Sequence, residues 1–462
     1  MSKPGKPELF GTDGIRGVFG RPPLDEHTVR RLGAALADRL HDANATARPC
    51  VVLGGDTRDS TAILCRWLAS ELSTTGIDLV FLGTVPTPAV AFTTVHLGAA
   101  AGIAVSASHN PHPDNGIKLI GADGFKWSPD DEAALEAVMA TITPRGDGEP
   151  ELAVDTAAVE TYLDGLCRSL DGRTLTGMTL VLDTGHGAAS PFAGDLFRRL
   201  GAEVVVENAA PDGSNINRGC GSTHPEIVAR LVEDHDADLG FSFDGDADRV
   251  IVADRVDGEG VVRDGDAVLY VWARDLHRRD RLPGAAIVAT SMSNLGLEVA
   301  LGRHGIELVR CGVGDREVVS TLRERQLALG GEQSGHLVDL RLSTTGDGLL
   351  TALQIADLVH RAGRPLDELL DGFERFPQLL HNLKVESKPP LDTLPTVRRV
   401  RREVDRALGD SGRLVLRYSG TEALVRIMLE GPDRDTIEAH SARLAQAFLD
   451  DGLVRALPEI DR

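Results

Sequence analysis

Three times along the chain an apolar run ends in small polar residues, at residues 51–56, 180–185 and 286–291. After each comes a helix-like stretch closed by Gly76, Gly201 or Gly305, and then a second apolar run at 77–81, 202–206 or 306–310. A third run leads into a polar loop: Val105 into Ser106-Ala107-Ser108-His109-Asn110-Pro111, Phe243 into Asp244-Gly245-Asp246-Ala247-Asp248-Arg249, and Leu329 into Gly330-Gly331-Glu332-Gln333-Ser334-Gly335-His336. Short apolar runs bounded by turn residues read as strands, and the stretches between them as helices. The pattern predicts three strand–helix–strand–helix–strand units, each a mixed or parallel sheet with helices on both faces. Ligands gather at the carboxyl ends of such strands, where the most polar segment of each unit lies. Three α/β domains facing one cleft are expected.

Composition breaks place the boundaries. Residues 143–150 are rich in Pro and Gly and read as a linker, residues 256–260 as a turn between the second and third units, and residues 376–390 as the approach to a different kind of segment. The expected domains are 1–150, 151–256, 257–376 and 377–462. In the last, a helix near 394–408 precedes a strand at 414–417, a loop at 418–422, a strand at 424–428 and a final helix. This is a smaller α+β domain.

A chain of 462 residues exceeds what one core fills. The net charge of −21 opposes nucleic acid and anionic membranes as partners, and aromatics at 4% leave few platforms for stacking bases. The basic run Arg398-Arg399-Val400-Arg401-Arg402 reads as a solvated helix face. Five scattered cysteines without a C-x-x-C pair point to a reducing compartment, and the first seven residues carry no apolar signal-peptide core. A cytoplasmic protein is expected.

The chemistry sits in the loops. Ser108 is a hydroxyl beside an imidazole, held on an Asn-Pro turn, and a serine needs a base, a metal or positive dipoles to become reactive. Asp244, Asp246 and Asp248, at every second position between apolar strands, can aim three hard oxygens at one Mg²⁺. An EF-hand is excluded because Arg249 stands where its Gly is required and Arg255 where its bidentate Glu is required. A dehalogenase-type phosphatase wants Thr or Val where Asp248 stands. Arg417, Ser419, Gly420, Thr421 and Arg426 read as an anion site of guanidiniums, hydroxyls and inward-turning N–H groups. Glu332 and Ser334 offer the acceptors and donors that read sugar hydroxyls.

These motifs resemble those of the α-D-phosphohexomutases. The resemblance rests on Phe10-Gly11-Thr12-Asp13-Gly14-Ile15-Arg16-Gly17, Pro86-Thr87-Pro88, the Ser108 and Asp244 loops, Asp114-Asn115-Gly116-Ile117-Lys118, Gly331-Glu332-Gln333-Ser334-Gly335-His336 and Arg417-Tyr418-Ser419-Gly420-Thr421-Glu422, and covers nearly the whole chain. It implies the same architecture, three mixed α/β domains and a smaller fourth around a central cleft. It implies that Ser108 is carried as phosphoserine, with Mg²⁺ on Asp244, Asp246, Asp248 and the Ser108 phosphoryl oxygen. His109 and Lys118 are implied for proton transfer, Arg16 and Arg249 for offsetting phosphate charge, Glu332 and Ser334 for the sugar, and Arg417, Ser419, Gly420, Thr421 and Arg426 for the distal phosphate. Glucosamine or glucose 1,6-bisphosphate would activate the enzyme; a phosphosugar is the expected partner, and a homodimer a candidate assembly.

The opening motif, the serine loop and Glu332-Gln333-Ser334-Gly335-His336 look like the glucosamine branch, which implies interconversion of glucosamine 6-phosphate and glucosamine 1-phosphate through a bisphosphate. The phosphomannomutase/phosphoglucomutase branch is the nearest alternative. Tyr418 and Ala423 stand where the family usually has Pro, and Glu317 where this branch usually has Tyr. Two readings from other classes remain: a metal-dependent sugar phosphatase, which would not need Arg417 and Arg426, and a non-catalytic phosphosugar binder, which would not need a competent Ser108.

Overall fold

The computed structural model describes residues 8–43, 48–146, 148, 150–419 and 423–454. The first part of the chain forms β1 (Phe10–Gly11), β2 (Gly14–Val18), α1 (Glu26–Ala43), β3 (Cys50–Gly55), α2 (Asp59–Thr74), β4 (Asp78–Thr84), α3 (Thr87–Leu97), β5 (Ala101–Val105), β6 (Asp114–Gly121) and α4 (Pro129–Met139). The second contains α5 (Thr156–Arg168), β7 (Thr179–Asp183), α6 (Ala193–Arg199), β8 (Glu203–Glu207), α7 (Pro225–Asp234), β9 (Leu239–Phe243), β10 (Val250–Val256) and β11 (Glu259–Arg263). The third contains α8 (Gly265–Arg278), β12 (Ala286–Thr290), α9 (Leu295–Gly302), β13 (Glu307–Cys311), α10 (Asp315–Arg325), β14 (Leu329–Gly331), β15 (Leu337–Asp339), α11 (Gly348–Ala362) and α12 (Leu366–Leu369). The last contains β16 (Gln378–Lys384), α13 (Pro395–Leu408), β17 (Arg413–Tyr418), β18 (Leu424–Glu430) and α14 (Arg434–Asp450).

The three repeats share one strand order. Their sheets run β4-β3-β5-β6, β8-β7-β9-β10 and β13-β12-β14-β15, extended by β2 and β1 in the first and by β11 in the second. In each, the first three strands are parallel and the fourth returns antiparallel. Every residue of β5, β9 and β12 is buried, as befits strands covered on both faces, so the chain shows them as mostly apolar runs; the exception inside β9, Ser242, donates its hydroxyl to Asp183 at 3.0 Å. The serine, aspartate and glutamate loops each join a third, parallel strand to its antiparallel neighbour. Residues 256–260, expected as a turn between the second and third units, do form a turn, but it is that of the β10–β11 hairpin, so the second sheet continues to Arg263.

The chain forms two compact units, residues up to 292 with 306–371, and residues 293–305 with 372 onward. Helix α9 thus groups with the C-terminal unit, where Asn294 Nδ2 donates to the Phe376 carbonyl at 3.0 Å and its Oδ1 accepts the Phe376 N–H at 2.9 Å. In that unit β18 is central between β16 and β17. Residues 376–390, taken as an approach segment, contain β16. Its buried Leu379, His381 and Leu383 alternate with exposed residues, a period-2 pattern that Pro377, Pro389 and Pro390 obscured. Helix α13 buries Val397, Val400, Val404 and Leu408, leaving its arginines outside, where Arg399 pairs with Glu403 at 2.9 Å.

Candidate active site

Ser108 follows β5 in the left-handed region, with φ 53°, which costs a non-glycine residue free energy and persists only when its surroundings hold it. The Ser108 N–H donates to Ser106 Oγ at 2.9 Å, and its carbonyl accepts from Asn217 Nδ2 at 2.9 Å and Arg58 Nη2 at 3.2 Å. The side chain faces the second repeat, where Ser108 Oγ donates to Asp244 Oδ2 at 2.5 Å. His109 Nδ1 lies 3.2 Å from the same Oγ. Gly245 lets the aspartate loop cross this close, because a Cβ there would sit 2.5 Å from the Ser108 carbonyl oxygen.

One oxygen from each of Asp244, Asp246 and Asp248 falls within 4.8 Å of the others, and all three residues are buried. Asp246 Oδ2 accepts Thr87 Oγ1 at 2.6 Å and Lys118 Nζ at 2.8 Å, while Asp248 Oδ2 accepts Lys118 at 3.2 Å. Asp246 Oδ1 and Asp248 Oδ1 are buried without a hydrogen-bond partner among the described residues. Burial raises the Asp244 carboxyl well above its usual range, and the charges of Asp248 and Asp246 add to that. Burial also opposes the ionised form of Asp246, but Lys118, with the hydrogen bonds from Lys118 and Thr87, holds it below the ordinary value. Convergent hard oxygens, two of them in the interior without a hydrogen bond, fit a divalent cation of the Mg²⁺ type.

Lys118, on β6, is buried and also lies 3.2 Å from Asp13 Oδ2; burial disfavours its charge, yet Asp13, Asp246 and Asp248 together raise its pKa well above the ordinary value. Asp13 pairs in addition with Arg16 and Lys126, and Lys126 reaches on to Asp315 of the third repeat. Arg16 Nη1 donates to the Ala107 carbonyl at 2.5 Å, placing its guanidinium beside the serine loop. Burial first, then Arg249 and Arg16, push the His109 imidazole down, toward its neutral form.

A cavity of about 810 Å³ brings Arg16, His109, Asp248 and Arg249 to the same walls as Glu332 and Ser334. Glu332 Oε1 accepts the Gly314 N–H at 3.1 Å. Met292 and Val313, both exposed, add an apolar edge. The sequence reading missed Arg58 and Asn217 behind Ser108, Thr87 on Asp246, and the Asp13–Lys126–Asp315 relay. Arg58 does sit at the polar end of a first strand, and Thr87 within Pro86-Thr87-Pro88; nothing in the periodicity marks Asn217.

In the C-terminal unit Arg417 of β17 and Arg426 of β18 are directly opposite in register, hence on one face of the sheet. Like charges so placed repel, an arrangement suited to an anion. The Ser419 N–H donates to the Leu424 carbonyl at 2.9 Å and its carbonyl accepts Lys388 Nζ at 2.6 Å, which adds a third cation. Tyr418, at a usual proline position, donates its hydroxyl to the Pro389 carbonyl at 2.8 Å and so ties down the start of the loop. Gly420 and Thr421 lie outside the described residues. Among the described residues no helix is long and apolar enough to cross a membrane.

Family models match four successive segments of the chain: phosphoglucomutase/phosphomannomutase alpha/beta/alpha domain I at residues 7–146, domain II at 160–258, domain III at 264–376 and the C-terminal domain at 380–447. A phosphoglucosamine mutase of Koribacter versatilis is 42% identical over 458 residues, covering 97% of this chain and 98% of that protein. Among solved structures, a phosphoglucomutase/phosphomannomutase family protein of Burkholderia thailandensis aligns with a TM-score of 0.78 at 25% identity, covering 98% of each chain. An Aspergillus fumigatus N-acetylphosphoglucosamine mutase, solved in complex with GlcNAc-6P and magnesium, shares the fold with a TM-score of 0.59 at 17% identity over 98% of this chain and 97% of that one.

Proposed function

The chain belongs to the phosphoglucosamine mutases of the α-D-phosphohexomutase family, isomerases of glucosamine 6-phosphate and glucosamine 1-phosphate, and we propose that it carries the transferred phosphoryl group on Ser108. The observation that carries this assignment is the approach of Ser108 Oγ to Asp244, beside a cavity lined by Arg16, Arg249, Glu332 and Ser334.

In the exchange the bond from phosphorus to Ser108 Oγ breaks and one from phosphorus to the free substrate hydroxyl forms, giving the bisphosphate. The substrate hydroxyl gives up its proton and Oγ gains one. His109, 3.2 Å from Oγ, and Lys118, behind the aspartates, are the residues proposed for this transfer. Arg16 and Arg249 offset the charge of the phosphoryl oxygens, and Glu332 and Ser334 hold sugar hydroxyls. Reorientation of the bisphosphate then lets the other phosphate return to Ser108, while Arg417, Ser419, Gly420, Thr421 and Arg426 grip the distal one. Asp244, Asp246 and Asp248 would hold Mg²⁺ together with a Ser108 phosphoryl oxygen; bound there, the ion neutralises charge on the phosphoryl group. Glucosamine or glucose 1,6-bisphosphate would charge a serine that has lost its phosphoryl group.

Intact-mass measurement of the purified chain incubated with glucose 1,6-bisphosphate tests the assignment. One added phosphoryl group, lost in Ser108→Ala, is expected; its absence from the wild-type chain would sink the carrier role. Steady release of inorganic phosphate without isomerisation would point to a phosphatase. Glucosamine phosphates should turn over faster than mannose phosphates, and the reverse order would move the chain to the phosphomannomutase branch.

A further inference from the structure

The Ser108 and Asn110 carbonyls are held by the same two donors, which come from different repeats. Arg58, just after β3, donates Nη2 to the Ser108 carbonyl at 3.2 Å and to the Asn110 carbonyl at 2.6 Å. Asn217, in the loop between β8 and α7, donates Nδ2 to the same carbonyls at 2.9 Å and 3.3 Å. Arg58 is fixed in turn by Asp56, whose carboxylate accepts the Arg58 backbone N–H at 3.0 Å, its Nη1, Thr61 Oγ1 at 2.9 Å and Ser106 Oγ. Ser106 Oγ accepts the Ser108 N–H, so the peptide groups on both sides of the Ser108 Cα are restrained. Asp56, Arg58 and Ser106 are buried, and Asn217 is 8% exposed.

We propose that Asn217 and Arg58 are positioning residues that clamp the Ser108–Asn110 turn from two different repeats and thereby hold the phosphoryl-carrying serine in its left-handed conformation, facing the aspartate loop. Neither side chain lines the cavity, so neither need touch substrate. Without the clamp the turn relaxes toward negative φ, and Oγ swings away from the place where phosphoryl transfer requires it. The inference rests on Ser108 being the phosphoryl carrier. It adds a second repeat to the residues that set the nucleophile's geometry, since Asn217 reaches Ser108 from the chain that also supplies Asp244.

Asn217 is the residue to vary. Its own φ is 56°, so glycine and aspartate both suit its backbone, whereas alanine would introduce a separate strain. Asn217→Asp keeps the shape but turns a carboxylate oxygen toward two carbonyls; Asn217→Gly removes the contact. The readouts are the rate at which glucose 1,6-bisphosphate phosphorylates Ser108, followed by intact mass, with kcat, KM for the sugar phosphate and thermal melting. Asn217→Asp should slow phosphorylation and kcat by at least about tenfold, and Asn217→Gly by about threefold or more because Arg58 remains, with KM within about twofold in both. Phosphorylation and kcat within about twofold of wild type in both variants would overturn the clamp, as would a rise in KM alone. Should Asn217→Asp fail to fold, Asn217→Gly decides by the same criteria. The wild-type arm separates the two ideas: a wild-type chain that takes no phosphoryl group refutes the carrier role itself, whereas normal charging of wild type and variants alike refutes only the clamp.

Discussion

Replacing Gly245 by Ala tests whether the distance between the serine and aspartate loops governs turnover. Gly245 does not hold a positive φ, so alanine meets no backbone penalty there, and the whole effect comes from where its methyl group would stand. That carbon would lie 2.5 Å from the Ser108 carbonyl oxygen, 2.8 Å from Ile216 Cδ1 and 2.9 Å from Asn217 Nδ2. Carbon-to-oxygen contacts between backbones settle at about 3.3–3.6 Å, so the two loops must part by about 1 Å. Crowding of this kind costs about 1–3 kcal/mol of stability, and a displacement of that size between reacting groups can cost about 10²-fold in rate. The Ser108 Oγ to Asp244 contact of 2.5 Å is the one that lengthens. We expect kcat and the rate of Ser108 phosphorylation to fall together by roughly 10²-fold, with melting lowered by a few degrees. Gly302→Ala, at a position with no heavy atom within 4 Å, serves as the comparison and should leave both rates unchanged. A Gly245→Ala enzyme with kcat within about twofold of wild type would refute the argument that this approach is limiting.

Further outcomes follow from other parts of the structure. Burial raises Asp347, the N-cap of α11 and acceptor of the Tyr162 hydroxyl at 3.0 Å, to about 6, so the folded state holds its proton more tightly than the unfolded chain does. The Asp347 contribution to stability should therefore fall between about pH 4 and pH 6 and level off above; Asp347→Asn, which can still cap, should remove that contribution, on the order of 3 kcal/mol, from the pH profile, and identical pH profiles of urea unfolding for both proteins would contradict it. Added Mg²⁺ should raise the melting temperature of the unphosphorylated chain, a shift worth about 2.7 kcal/mol at a hundredfold excess over Kd, and Asp246→Asn should abolish it; a shift that survives the substitution would place the ion elsewhere. Arg417→Ala should raise KM for the sugar phosphate by about tenfold or more through loss of a charge-assisted contact, and an unchanged KM would remove Arg417 from the distal phosphate site.

The repeats were legible because β5, β9 and β12 are covered on both faces and are mostly apolar, so their ends show in the chain as abrupt changes of polarity. The same contrast exposed the serine, aspartate and glutamate loops. What stayed hidden depends on contacts between distant segments. Asn217 meets Ser108 across 109 positions and Thr87 meets Asp246 across 159, and no local spacing encodes such pairs. Strand β16 was missed for a local reason, since prolines on either side suggested loop, while the grouping of α9 with the C-terminal unit depends on Asn294 meeting Phe376. The resemblance implies proton transfer for Lys118, but its three carboxylate neighbours emerge only when Asp13 and the aspartate loop are folded against β6.

The φ of 53° at Ser108 also bears on which hydroxyl amino acid can occupy the position. Threonine offers the same oxygen and can accept a phosphoryl group, yet a β-branched side chain is a steric outlier at positive φ because its second branch crowds the backbone. A Ser108→Thr chain would have to abandon either the left-handed turn or the approach to Asp244. Selection of serine over threonine is therefore made by the main chain, before substrate or metal has any part in it.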